Sequence, residues 1–295
     1  MAVKKAQGGP QWLTAYLSFE GHVYSDTADR VIREVVAPLA RVCRPDAVRW
    51  FFLRYAEETS HVRLRFFAPG PILDETIWPR IAEASAASEL VVRSTRECYE
   101  PEVERYGGPC GLALAEELFH YQSETALGLL DKIPPGTRPQ RLGKGLLAML
   151  VLLFLYRRER RAAADLARRY GTNYLKVWAV DAAEQEQWLS TFQEAFDRQA
   201  DRLAGYVESA WDALESGEEL TPELDVYRQG MDDVARRLRE LFDQGRLLLD
   251  GRTAADWNKC VDWIVPSYIH MMNNRLGVTI QEESYLSVLI AGTLE

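Results

Sequence analysis

The hydrophobic pattern of this 295-residue chain changes character at Gly107-Gly108-Pro109. Before that point, short runs of alternating or aromatic residues indicate β-strands. After it, apolar residues recur at i, i+3 and i+4, as they do on one face of a helix. Strands grouped in one part of a chain and helices in the rest are typical of an α+β fold. We therefore predict a mostly antiparallel sheet from the N-terminal third, packed with a largely helical C-terminal part.

The clearest element of the strand-rich part is a predicted β-hairpin. Residues 49–55 and 62–67 are both strand-like, and the polar residues 57–60 supply the turn between them. The other elements predicted in this part are a strand at 12–19, a helix at 27–43, a helix at 77–90 and a strand pair within 91–99.

Helical periodicity dominates the rest of the chain. The predicted helical segments are 113–130, 142–170, 175–205, 207–214, 231–248 and 257–272. No stretch rich in Pro, Gly or Ser offers a clean boundary, so we predict one domain over 1–295, strand-rich at 11–108 and helix-rich at 109–295. The most apolar segment, 146–156, is too short to span a bilayer, and we interpret it as a core helix.

Composition excludes several classes of function. A net charge of −9 and a pI near 5.2 disfavour direct nucleic-acid binding. The N-terminus has two lysines but no apolar run behind them, so we expect no signal peptide, no membrane association and a cytoplasmic location. The cysteines are too widely spaced for a metal site, and we expect reduced thiols. No nucleotide, zinc-protease or serine-hydrolase motif is present, so we expect no cofactor.

Three segments place ionisable residues where the pattern predicts regular structure. In the first, strand geometry puts His61, Arg63 and Arg65 on one face of the second hairpin strand. Two guanidinium groups on one face suit a carboxylate or a phosphate, because each offers a planar fork of donors. The structural alternative is an exposed sheet face with ordinary alternation.

The second segment is YEPEVERYGG, residues 99–108, which crowds three carboxylates and an arginine beside a Gly-Gly turn. Glu102 and Arg105 are three residues apart, so in one helical turn they would share a face and pair. The structural alternative is a capped turn that carries surface charges.

The third segment is SYIHMMNNRLG, residues 267–277, a predicted helix end with Gly277 as its left-handed stop. His270 lies three residues after Ser267 and four before Asn274, so polar groups on the same helix face could fix its tautomer. The structural alternative is a histidine that serves packing alone.

Together with Trp12, these segments resemble the thiopeptide-type bacteriocin biosynthesis family, which includes the C-terminal elimination domain of LanB-type dehydratases. The matching words are WFFLRYAEETSHVRLRF, YEPEVERYGG followed by AEELFHYQSE, and SYIHMMNNRLG, and they occur in the family's order over most of the chain. YEPEVERYGG is the most specific of them.

The resemblance implies a reaction. The full dehydratases transfer glutamate from glutamyl-tRNA to a Ser or Thr hydroxyl, and the elimination domain then expels glutamate to leave dehydroalanine or dehydrobutyrine. This chain is too short for the tRNA-dependent half. We therefore expect a stand-alone elimination component of a split dehydratase that acts on the leader and core of a ribosomal precursor peptide. Its partner would be a separate glutamylating protein, and a homodimer is left open.

The resemblance also implies site residues. The elimination residues of the family fall on Arg63, Arg65, Glu102, Arg105 and His270. The arginines would hold carboxyl groups of the glutamyl unit, and His270 or Glu102 would take part in proton transfer, with the base unassigned between them. Substrate contacts are expected from neighbouring motif residues, namely His61, Tyr106, Ser267, Asn274 and Arg275.

Two alternatives remain at this stage. Thiopeptide pyridine synthases, which join two dehydroalanines by an aza-[4+2] cycloaddition and release water and the leader peptide, also resemble elimination domains. Because a cycloaddition has no glutamate to bind, it does not require this set of arginines. The second alternative is a non-catalytic subunit that binds the leader peptide as an added strand.

Overall fold

The structure is a computed structural model that describes residues 9–179, 181–198 and 200–295. The N-terminal residues on which we predicted the absence of a signal peptide, 1–8, lie outside this description. Spatial contacts divide the chain into two compact units. We call them the sheet unit, which holds the described residues up to Pro101 and Gln122–Gly136, and the helical unit, Glu102–Tyr121 and Thr137–Glu295. The prediction of a single domain stays a prediction.

The sheet unit contains a four-stranded antiparallel sheet, which confirms the predicted α+β class. Its strands are β1 Pro10–Ser18, β2 Arg49–Ala56, β3 Ser60–Pro69 and β4 Arg93–Glu97, in the order β2-β3-β1-β4. The predicted hairpin is confirmed as the β2-β3 pair. The strand pair predicted within 91–99 is wrong, because the segment forms only β4, which pairs with β1. It is too short to fold back on itself.

Helical segments of the sheet unit contact strands β3 and β4. The helix predicted at 27–43 is confirmed as α1 Asp26–Val31, a π-helical segment Ile32–Val36 and α2 Ala37–Cys43. The helix predicted at 77–90 begins earlier and ends earlier, as α3 Gly70–Ile72, a π-helical segment Leu73–Ile77 and α4 Trp78–Ala86. Val62, Leu64 and Phe66 of β3 are fully buried in the core of the unit.

The helical unit begins with a 3₁₀ turn, Val103–Tyr106, followed by long helices. The helices are α5 Gly108–Asp131, α6 Arg138–Tyr156, α7 Arg160–Trp178, α8 Ala182–Asp197, α9 Ala200–Ser216, α10 Pro222–Asp243, α11 Trp257–Leu276 and α12 Ile280–Leu294. The last ten residues of α5 belong to the sheet unit.

Helix α6 is long and apolar enough to cross a membrane by length and composition, but 67% of that window is buried inside the structure. The residues from Leu146 to Phe154 are all buried. Segment 146–156 is therefore a core helix, as predicted.

Two predicted helices are divided in the structure. The continuous helix predicted at 142–170 breaks at Arg157, where φ is −142° and the buried guanidinium bonds Asn258 and Asp262. These contacts with a distant segment replace the local helix. The segment predicted at 175–205 is shared among α7, α8 and α9.

Other elements were not predicted at all. The end of segment 231–248 is not helical, because α10 stops at Asp243 and a short hairpin follows, β5 Leu248–Leu249 with β6 Arg252–Thr253. Helix α12 was missed as well, although Thr279 and Glu282 form a capping box at its start. Gly277 ends α11 with φ of 74°, which confirms its predicted role.

Candidate functional site

In the sheet unit, β3 carries the first predicted cluster. His61, Arg63 and Arg65 alternate with the core residues of that strand, as strand geometry requires. The face they occupy is covered, since His61 is 2% exposed and Arg65 9%. The alternative of an ordinary exposed sheet face is therefore wrong.

Aromatic rings surround both guanidinium groups of this cluster. Arg63 lies 3.3 Å from the ring centroid of Tyr55 and 4.8 Å from that of Tyr16, and it donates to Glu57 over 2.7 Å. Arg65 lies 4.6 Å from the ring centroid of Tyr99. A guanidinium group over an aromatic ring keeps its N–H donors in its own plane, a geometry that suits a carboxylate at its edge.

His61 fixes the orientation of Arg63. Its Nε2 accepts from Arg63 Nε over 3.2 Å, so its Nδ1 carries the proton and donates to Thr59 O over 3.0 Å. Burial lowers the pKa of His61, which favours this neutral form. The ring also stacks on Tyr16, with centroids 4.4 Å apart. His61 is thus a positioning residue of the cluster.

In the helical unit, the 3₁₀ turn holds Arg105 against α11. Gly107 closes this turn with φ of 85°, and a Cβ at this position would lie 2.8 Å from Ile264 Cδ1. The left-handed backbone favours glycine there, and a larger residue would also have to displace the end of the Ile264 side chain. The sequence VERYGG therefore brings its arginine to α11 through backbone geometry.

Arg105 donates to three side chains. Its Nε donates to Ser267 Oγ over 2.8 Å, its Nη1 to Glu102 over 3.1 Å and its Nη2 to Tyr174 Oη over 3.3 Å. The predicted pair of Glu102 and Arg105 is therefore present. Glu102 is 62% exposed at its side chain, so this pair contributes little stability by itself.

His270 on α11 faces a buried carboxylate on α12. The Nδ1 of His270 lies 3.1 Å and 3.2 Å from the two carboxyl oxygens of Glu283, whose side chain is fully buried. Tyr170 Oη donates to the same carboxyl group. Burial raises the pKa of Glu283, and the contacts with His270 and Tyr170 oppose that rise. Within the described residues, the Nε2 of His270 has no hydrogen-bond partner.

Tyr174 connects the two halves of this site. It accepts a hydrogen bond from Arg105, and its ring centroid is 5.2 Å from that of His270. The site of the helical unit is therefore one network of side chains. Its members are Glu102, Arg105, Ser267, Tyr174, His270, Glu283 and Tyr170.

Sequence reasoning missed Glu283, Tyr170 and Tyr174. One signal was available for Glu283, which lies on the stripe of α12 that continues with the buried Leu286 and Ile290. A carboxylate on an apolar stripe is expensive unless it is paired or used. The tyrosines, four residues apart on α7, gave only an ordinary helical spacing.

The remaining predicted substrate contacts are buried in the helical unit. Tyr106 is 3% exposed and stacks on Tyr268, and Arg275 is fully buried, with its guanidinium over the ring of Phe119. Asn274 is buried too. Burial favours packing roles for these residues, and substrate contact by them stays a prediction.

The structure thus gathers the predicted residues into one cluster in each unit. His61, Arg63 and Arg65 lie together on β3, whereas Glu102, Arg105, Ser267 and His270 lie together in the helical unit. Among the described residues, no group of three or more His, Cys, Asp or Glu side chains is placed to hold a metal ion.

Solved structures share this fold. TsrL superposes with a TM-score of 0.74 at 16% identity, over 96% of this chain and 94% of its own. TbtD, a pyridine synthase from thiomuracin biosynthesis, superposes with a TM-score of 0.73 at 14% identity, over 96% and 97%. MibB, a tRNA-dependent lantibiotic dehydratase from Microbispora sp. 107891, gives a TM-score of 0.69 at 21% identity, over 99% of this chain and 28% of MibB.

Sequence comparison agrees with the fold. The subtilin biosynthesis protein SpaB of Bacillus subtilis is 37% identical over 75 residues, which is 24% of this chain and 7% of SpaB. The model of the family described as "Lantibiotic biosynthesis dehydratase C-term" matches residues 17–294. The chain therefore belongs to the C-terminal family of lantibiotic biosynthesis dehydratases.

Proposed function

We propose that this protein removes glutamate from glutamylated Ser and Thr residues of a ribosomally made precursor peptide, leaving dehydroalanine or dehydrobutyrine. The observation that carries the proposal is the network that links Arg105 to the His270-Glu283 pair through Tyr174. It joins a cation and a candidate base through one tyrosine, which supports an elimination that expels a carboxylate.

His270 is the candidate base. With its Nδ1 proton directed at Glu283, the lone pair of its Nε2 is available for the α-proton of the modified residue. Removal of that proton leaves its electron pair on the Cα, next to the peptide carbonyl. The pair forms the Cα=Cβ double bond as the Cβ–O bond breaks. Glutamate then leaves as a carboxylate, and His270 carries the proton until solvent removes it.

Arginines would stabilise the charge that develops in this step. Arg105 lies in the same network as His270, and its in-plane donors suit the departing carboxylate. For Arg63 and Arg65 of the sheet unit, considered separately, we propose the binding of a carboxyl group. Their guanidinium groups lie over tyrosine rings, and the planar fork of donors that each offers suits a carboxylate.

The partners follow from the same proposal. The substrate would be the leader and core of a precursor peptide, and a separate glutamyl-tRNA-dependent protein would supply the glutamylated form. MibB is a tRNA-dependent lantibiotic dehydratase and SpaB is a subtilin biosynthesis protein, which supports a peptide substrate. Action as a stand-alone component, with no cofactor and in the cytoplasm, belongs to the proposal as well.

A second candidate is pyridine formation by cycloaddition of two dehydroalanines. One observation supports it: the pyridine synthase TbtD has the same fold, with a TM-score of 0.73. The network of Arg105 and His270 favours elimination, because a cycloaddition expels no glutamate.

Mass spectrometry of two peptides, each incubated with this protein, tests the proposal. One is a precursor peptide with a glutamylated Ser, and the other is a peptide that already carries two dehydroalanines. We expect loss of glutamate from the first and no change in the second. A pyridine product with release of the leader from the second would favour the cycloaddition. No change in either would favour a subunit that only binds the leader.

A further inference from the structure

Helix α11 is buried on most sides but keeps one accessible stripe. Its residues Lys259, Trp263, Pro266 and His270 are exposed or half-buried, whereas residues beside them, such as Cys260 and Ile264, are fully buried. Their spacing of four, three and four places these side chains in one row along the helix. The stripe therefore leads away from the candidate base along a single helix face.

Trp263 is the unusual member of this stripe. Its side chain is 42% exposed, although tryptophan is a residue that folded proteins usually bury. Its Nε1 donates to Glu104 O over 3.1 Å, which fixes the ring beside the turn that carries Arg105. An exposed aromatic ring with a fixed orientation is a ready platform for another planar or apolar group. The elimination chemistry itself makes no use of it.

The distance along the stripe suits an extended peptide. Trp263 and His270 are seven residues apart, or about 10 Å along the helix axis. An extended chain advances about 3.3 Å per residue, so roughly three residues of a bound peptide span that distance. Ser267, which holds Arg105, lies between the two positions.

We propose that Trp263 forms a substrate subsite for an aromatic or proline side chain three positions from the processed Ser or Thr. The inference rests on the proposed function in one respect, because it places the reacting residue at His270. It adds a specificity determinant, in which an extended precursor peptide lies along α11 and stacks one side chain on the Trp263 ring.

The probe is a short synthetic peptide that cannot eliminate. Its central serine is replaced by diaminopropionate carrying a glutamyl amide, its other positions are Gly and Ala, and one Phe is moved through five positions on each side. We expect Phe at the third position on one side to tighten binding about tenfold. W263A should abolish that gain and W263F should retain most of it. W188A, which removes an exposed tryptophan of α8, is the matched control and should leave the gain in binding from Phe unchanged.

Two results would overturn the subsite. One is a Phe gain that survives W263A or appears equally at every position, and the other is a failure of every probe to bind. Elimination from the corresponding serine ester is measured separately. If Phe and Trp263 are coupled in binding but the ester is stable, the subsite stands and the proposed reaction fails. If the ester reacts without that coupling, the reaction stands and the subsite fails.

Discussion

At the scale of single residues, the site of the helical unit consists of charged groups whose orientation is fixed by neighbours. The guanidinium group of Arg105 is oriented by hydrogen bonds to Ser267, Tyr174 and Glu102. The bonds to Ser267 and Tyr174 are partly buried, whereas the bond to Glu102 is exposed to solvent. His270 is directed by Glu283, which sits behind its Nδ1. Hydrogen bonds of this kind select one tautomer and one plane, which is what proton transfer and carboxylate binding require.

We expect R105A to slow glutamate release on the order of a hundredfold while the protein stays folded. Loss of the guanidinium removes the charge that would stabilise the departing carboxylate. The measurement is the rate of glutamate loss from a glutamylated peptide by mass spectrometry. The control R236A removes an exposed arginine whose partners are Asp233 and Glu240 on its own helix, and it should keep the wild-type rate. A wild-type rate in R105A would exclude Arg105 from the site.

Glu283 should make stability depend on pH. Because burial raises its pKa above the ordinary value of 4.5, the folded state retains a proton that the unfolded state has lost in the window just above that value. The stabilisation is complete below pH 4.5 and is lost as the pH rises through the folded-state pKa. We expect E283Q, which cannot ionise at this position, to show no such loss of stability as the pH rises. The melting temperatures of the wild-type protein and E283Q should therefore diverge as the pH rises through this window. Melting temperatures that change in parallel would contradict a raised pKa for Glu283.

At the scale of elements, the junction of α11 and α12 keeps His270 and Glu283 opposite each other. Gly277 ends the first helix, and the capping box of Thr279 and Glu282 begins the second. Arg138 donates to Gly277 O over 2.8 Å and pairs with Glu282, while Arg141 donates to Leu276 O. Positive side chains at the carbonyl end of α11 also complement its dipole. The adjacent residues Glu282 and Glu283 therefore have different roles. Glu282 caps α12, and Glu283 contacts His270 in the site.

We expect T279A to lower the free energy of unfolding by about 1 kcal/mol, the usual cost of losing an N-cap. Chemical denaturation measures the change. T293A is the matched control, because Thr293 bonds Leu289 O within the last turn of the same helix and caps nothing at the junction. An equal loss of unfolding free energy in both variants would show that the N-cap contributes no more stability than the Thr293 hydrogen bond.

At the scale of the whole molecule, two compact units share one continuous helix, α5. The sheet unit also contains a buried ion pair, in which Arg54 donates to Asp29 over 2.6 Å with both side chains almost fully buried. Removing one partner of such a pair is costly, because the other charge stays in a medium of low dielectric constant.

We expect D29A to cost on the order of 3 kcal/mol and to lower stability in both units, since α5 spans the two. Hydrogen exchange of peptides from β3 and from α12 would report on each unit. A loss of protection in both would support the single domain predicted from the sequence. A loss confined to β3 would instead indicate two domains that unfold separately.

The sequence alone determined the parts that depend on local patterns. Alternation along β3 put His61, Arg63 and Arg65 on one face, and spacing placed Glu102 within reach of Arg105. The left-handed stop at Gly277 was also readable, because its cause is the local backbone. Motifs of this kind carry their own geometry, so they could be identified before the fold was known.

Only the tertiary structure decided which distant groups meet these motifs. The partners Tyr174 and Glu283 come from α7 and α12, and nothing in the local pattern of Arg105 or His270 points to them. The break at Arg157 likewise arises from bonds to Asn258 and Asp262, about a hundred residues away. Periodicity reports which face of an element is buried but not what it is buried against, since packing depends on contacts between residues far apart in the chain.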